Sequence, residues 1–171
     1  MRKHVSAASA ILAAAASFAI SAPVPVQAAA APAQSAADRA LLFLSRAQGA
    51  DGSIGSDAGV TEDTVIGTAA AGHDPNTLVA CGGATALGYL GGVADAKYST
   101  LAAGPLAKLV LAVVAAGQNP RAFGKASQHD LVAQLQTLKA TQTFDVGLTI
   151  LADKAAGAAI PASAVSALKA E

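Results

Sequence analysis

The chain has 171 residues, 53% of them hydrophobic and 13% charged, and its eleven basic side chains balance eleven acidic ones. With no net charge and no basic run, nothing in it suits a nucleic-acid partner. Alanine dominates, Trp is absent and Cys81 is the single cysteine, so no internal disulfide can form and small side chains must supply the burial.

In chain order, Arg2, Lys3 and His4 precede an apolar run from Ala7 to Ile20, and Pro23 and Pro25 follow it. Val26-Gln27-Ala28 fits the small-x-small rule for cleavage. The run is short for a membrane-spanning helix. Residues 1–28 therefore read as a signal peptide removed after Ala28, and the protein as exported, with no stable membrane span after cleavage. Losing Arg2 and Lys3 leaves nine basic residues against eleven acidic, a slightly acidic mature chain. Residues 29–35 read as a flexible linker and 36–171 as one domain.

Ala36 to Gln48 has helical spacing, with Leu41 and Leu44 on its apolar stripe. Asp51-Gly52-Ser53 then reads as a turn. A second helix is predicted to open at Thr61, with Thr61 as N-cap and Glu62 and Asp63 complementing the positive end of its dipole. It runs to Ala70-Ala71-Gly72-His73-Asp74-Pro75. A third is predicted over Leu78 to Leu90 and a fourth, the most apolar, from Pro105. Ser127 and Asp130 have the form of a capping box before Leu131, Leu135 and Leu138. A sixth helix carries Val146, Ile150 and Leu151, and a seventh follows Pro161 with Val165 and Leu168.

The phrase that ends the second helix returns. Ala115-Ala116-Gly117-Gln118-Asn119-Pro120 comes 45 residues later, and Ala155-Ala156-Gly157 with Pro161 comes 40 after that. Gly takes the left-handed position that closes a helix, and Pro starts the next one. Recurrence at this period marks a helix-pair repeat. No segment alternates with strand period, so the expected class is all-α, with about three and a half pairs.

Ala40-Leu41-Leu42-Phe43-Leu44, Gln48 and Asp51-Gly52-Ser53-Ile54-Gly55 resemble the opening of a repeat in the prenyltransferase and squalene–hopene cyclase superfamily. Asn119-Pro120-Arg121-Ala122-Phe123-Gly124 and Phe144 to Leu151 are similar to its exported bacterial members. The resemblance spans Ala36 to Glu171 and implies an α/α toroid, in which inner and outer helices alternate around a cavity. Ile54 stands where that repeat usually has an aromatic residue.

The resemblance also brings chemistry to weigh. Glu62, Asp63 and Thr64 are similar to the second half of the acidic motif with which class II terpenoid cyclases protonate an alkene, and Val60 occupies the place of its first Asp. The helix-start role is the preferred explanation of Glu62 and Asp63. A zinc site like that of a protein prenyltransferase would have to come from Cys81, His73, His129 and scattered Asp residues, none at ligand spacing. Cys81 reads as a buried, inert thiol. Gly82-Gly83 and Gly91-Gly92 lack the strand and the lysine of a phosphate loop. No cofactor and no metal are expected.

The reading is an exported, non-catalytic toroid-like module. A small apolar ligand, self-association or a protein partner at the open repeat end are its expected partners. The alternatives are a degenerate isoprenoid cyclase using Glu62 or Asp63 and a carrier of the cobalamin-binding kind. Gln48, Asp51, Gly52, Gly72, Pro75, Gly117, Pro120, Gly157 and Pro161 are the residues that define the repeat.

Overall fold

Three helices end in the same way. In the computed structural model, which describes residues 30–169, the second, fourth and sixth helices each close with a Gly at positive φ: Gly72 at 81°, Gly117 at 69° and Gly157 at 65°. Each Gly N–H donates three residues back, to Ala69, Val114 and Lys154. The next N–H donates five back, from His73 to Thr68, Gln118 to Val113 and Ala158 to Asp153. This is the Schellman arrangement, which satisfies carbonyls that a helix end otherwise leaves orphaned.

Among the described residues the structure has seven α-helices and no strand, the all-α class the sequence predicts. They are α1 (Ala30–Arg46), α2 (Ala58–Ala70), α3 (Ala86–Lys97), α4 (Ala103–Ala115), α5 (Leu131–Thr137), α6 (Thr143–Ala155) and α7 (Ala162–Lys169). None of the described helices is long and apolar enough to cross a membrane. The predicted signal peptide lies outside the described residues.

α2, α4 and α6 form a row in which α4 packs between the other two, while α3, α5 and α7 lie against α2, α4 and α6 respectively. The core runs along this row. Val65, Leu90, Leu106, Leu109, Val110, Val113, Leu131, Val132 and Leu135 are fully enclosed, with Ala86, Ala94, Ala107, Ala112 and Ala152 between them. α4 is inner on nearly every side, which is why its sequence is the most apolar. The alanines let neighbouring backbones approach closely and the leucines fill what remains.

α1 is less well seated. Leu42 and Phe43 face solvent and Leu41 and Leu44 are half-buried, so its stripe is only partly covered. It is tied down at its end by Gln48, whose side-chain amide donates to the carbonyls of Gly52 and Leu78.

Several predicted boundaries shift. α1 begins at Ala30, so most of the expected 29–35 linker is helical backbone; Pro32 falls in the first turn, where its missing N–H costs no helix bond. α2 begins at Ala58 with Asp57 as the N-cap, accepting from the Val60 N–H, in place of Thr61. Leu78 to Gly83 is not helical. Pro75–Thr77 is a single 3-10 turn, and Gly82 and Gly83 both have positive φ, which a helix cannot absorb. The third helix starts only at Ala86, capped by Thr85. α5 is capped by Asp130, which accepts from the Ala133 N–H, not by a box beginning at Ser127, whose own N–H donates to Asp95.

Short loops pinched by antiparallel bridges precede three helices: Gln48 with Ile54 and Ile54 with Asp57, Val79 with Thr85, and Phe123 with His129. The first two share their hydrogen bonds, Gly49 N–H to Ser53 and Ala80 N–H to Ala84, Gly52 N–H to Gly49 and Gly83 N–H to Ala80. They also pack on each other. A side chain at Gly52 would collide with the Thr85 carbonyl, so the glycine serves both its positive φ and a close approach. Cys81 sits at the tip of the second loop and is exposed, contrary to the buried thiol expected; Gly82 and Gly83, both at positive φ, follow it in the turn.

Candidate binding cleft at the start of the inner helices

Because α2, α4 and α6 lie side by side, their first turns meet at one end of the row. They enclose a cleft of about 400 Å³. α2 contributes Asp57, Gly59 and Glu62, α4 contributes Gly104, Pro105 and Lys108, and α6 contributes Phe144, Asp145 and Leu148. Val93 and Lys97 of α3, with Leu101 after it, complete the wall. Two other grooves, between α1 and α2 and between α5 and α7, hold no buried ionisable group.

The approach is close because glycine stands at the crossing points. A methyl at Gly104 would collide with the Asp145 carboxylate, which lies over the start of α4. A carboxylate at that end of a helix is favoured by the dipole. A methyl at Gly59 would come 3.6 Å from the Lys108 ammonium. Lys108 reaches across from α4 to Asp63 on α2, N to O 2.7 Å, and Asp63 is otherwise open to solvent.

Glu62 is in a different situation from its neighbour. The helix-start explanation does not hold for it, since α2 begins at Ala58 and Glu62 is a full turn deeper. It is 4% exposed. Burial pushes its carboxyl from an ordinary 4.5 up to about 8; Lys108 opposes the rise, and the negative charges of Asp63 and Asp57 add to it. At neutral pH Glu62 is mostly the neutral acid. Among the described residues no side chain or backbone group hydrogen-bonds it.

The rest of α2 explains how Glu62 is held. The Thr61 hydroxyl donates to the Asp57 carbonyl at 2.6 Å and accepts from the Ile54 N–H at 2.9 Å, fastening the preceding loop to the helix. Thr64 and Thr68 bond back to the carbonyls of Val60 and Thr64, which satisfies hydroxyls that are nearly enclosed.

The other residues singled out by sequence fall elsewhere. Gly72, Pro75, Gly117, Pro120, Gly157 and Pro161 lie at the opposite ends of the inner helices, roughly 20 Å away at 1.5 Å per residue. Gln48, Asp51 and Gly52 build the first loop. Asp51 accepts from both the N–H and the hydroxyl of Ser53, and these bonds hold its carboxyl below the usual range. His73 pairs with Asp38 at 2.8 Å. His129 contacts Asp95 at 3.1 Å and stacks on Tyr98 with ring centres 4.5 Å apart. The structure does not bring Cys81, His73 and His129 together, and among the described residues no three His, Cys, Asp or Glu side chains are placed to hold a metal ion.

Sequence reasoning missed Lys108, Asp145 and Asp95. Lys108 carried a signal, as the lone charge in an apolar inner helix. Asp95 carried none, yet its carboxylate accepts from the N–H groups of Lys125, Ala126 and Ser127, which lowers its pKa and pins the loop before α5. Compared with known proteins, the chain matches no family model, no curated protein and no solved structure.

Proposed function

We propose that this chain is an exported, non-catalytic helix-pair module of the α/α toroid type, and that the cleft at the start of α2, α4 and α6 captures a small, largely apolar ligand. The observation that carries the reading is the cleft itself. α3, the turn after it, α4 and α6 place Val93, Leu101, Pro105, Phe144 and Leu148 around one concave space with a few ionisable groups among them. Concave apolar sites with sparse, convergent polar groups are where small molecules bind. Export follows from the N-terminal pattern ending at Ala28, and the toroid from the resemblance.

The cyclase alternative draws on Glu62, a buried carboxylic acid facing the cleft. Its environment works against that role. Protonating an alkene demands an acid far stronger than ordinary, and burial makes Glu62 weaker, with a pKa of about 8. Carbocation chemistry also calls for aromatic faces, and Phe144 is the aromatic residue among those lining the cleft.

The test is to offer squalene, a polyprenyl diphosphate and cobalamin to the purified chain. The binding reading expects each isoprenoid to be recovered unchanged and at least one compound to raise Tm and perturb Phe144 and Leu148 resonances. A cyclised product that disappears in Glu62→Gln or Asp63→Asn overturns it.

A further inference from the structure

The charges around the cleft narrow its ligand. Asp57, Glu62 and Asp145 line it together with Lys97 and Lys108, and Asp63 stands beside Lys108. Asp63 and Lys108 satisfy each other at 2.7 Å, and Asp57 is engaged by the Val60 N–H as the cap of α2. Glu62 is left 96% buried with no hydrogen-bond partner among the described residues. A neutral apolar ligand would leave it so. An anion could pair with Lys97 or take Lys108 from Asp63, but in either place it would lie among the Asp57, Glu62 and Asp145 carboxyls.

We propose that the cleft takes an organic cation, an ammonium head held against the Glu62 carboxylate with an apolar body lying on Val93, Leu101 and Leu148. The inference rests on the ligand-binding reading above. Phe144, 74% exposed, lines the same cleft, and an aromatic ring there can add to the attraction for a cation. Glu62 must ionise to make the pair, so its proton leaves to solvent as the cation enters: carboxylic acid plus ammonium gives carboxylate–ammonium pair plus a free proton. The groups set around Glu62 are Asp57 and Asp63 on its own helix, Tyr89 and Lys97 on α3, Lys108 on α4 and Asp145 on α6. Affinity for the cation rises with pH until Glu62 is ionised without it, near pH 8.

Isothermal titration at pH 6.5, in two buffers of different ionisation heat, compares hexylammonium, 1-hexanol and hexanoate, which share one tail. The expected result is that the ammonium binds about tenfold or more tightly than the other two. It releases about one proton per molecule bound. Glu62→Gln removes both the preference and the proton release. Lys108→Gln deletes the charge that holds the Glu62 pKa down, so at pH 8 it increases the number of protons released per ammonium bound, and it serves if Glu62→Gln does not fold. Equal binding of 1-hexanol with no proton release overturns the proposal and leaves the apolar cleft standing. Preference for hexanoate, or an unchanged proton release at pH 8 in Lys108→Gln, also overturns it. Binding of none of the three overturns this proposal and the cleft reading together.

Discussion

Two carboxyls, Glu62 and Asp153, are buried at a cost that pH reveals. Glu62 has a folded-state pKa raised to about 8 from 4.5, so the folded protein holds a proton that the unfolded chain has lost between those values. Stability is therefore full below about pH 4.5 and declines as pH rises toward 8. Glu62→Gln is expected to flatten this decline and to be the more stable form at pH 8, measured by urea unfolding from pH 5 to 9. Asp153, on α6, is fully enclosed, and neither carboxylate oxygen has a partner of good hydrogen-bond geometry; burial raises its pKa, while the nearby Gln136 amide and the charge of Arg121 oppose the rise. Asp153→Asn is expected to raise Tm at pH 7 and to do little at pH 4. A fall at both pH values would mean the carboxylate has a partner that these contacts lack. Asp95 has the opposite sign. Its lowered pKa means its support of the 124–127 loop is present at neutral pH and lost as acid protonates it, so Asp95→Asn should lower Tm at pH 7 and remove part of the acid sensitivity.

At the scale of the element, glycine has two meanings that substitution separates. Gly72, Gly117 and Gly157 have positive φ and open space around them, so Ala at any of the three costs backbone strain alone, about 1–2 kcal/mol. Gly67 and Gly147 lie inside α2 and α6 with ordinary φ and nothing near a would-be Cβ. Ala at either should stabilise by about 0.5–1 kcal/mol, read from the same unfolding curves. Gly52→Ala should be worse than all of these, because strain is joined by collision with Thr85.

The same contrast shows what was legible in the sequence. The three stops were readable because a Schellman closure depends on its own few residues and on the ban that Pro imposes. α4 and α6 were readable from their apolar spacing. Leu78 to Gly83 was misread because its apolar residues suit a helix locally, while two adjacent positive-φ glycines and packing against the first loop decide otherwise. Glu62 was misread because one turn of error in the start of α2 turns a surface charge into a buried acid. The cleft was not readable at all, since Glu62, Lys108 and Asp145 come from three helices and only the packing of the row unites them.

For the whole molecule, the row of inner helices is what turns a chain poor in large side chains into a folded domain. Its burial depends on a few leucines, so Leu109→Ala on α4 should cost about 2–5 kcal/mol, the range for a fully enclosed leucine. Phe43→Ala, on the loosely seated α1, should cost far less, since that ring is 70% exposed. The row also has ends. Phe144 and Leu151 on α6, and Val165 and Leu168 on α7, leave apolar surface uncovered.

The arrangement of α2, α4 and α6 underlies the cleft, the state of Glu62 and every ligand argument built on them. Through-space proton contacts in a nuclear Overhauser spectrum test it directly. Contacts from Gly104 to Asp145 and from Lys108 to Asp63 are expected, placing α4 between the other two. Contacts that set α2 directly beside α6, with α4 outside, would contradict it.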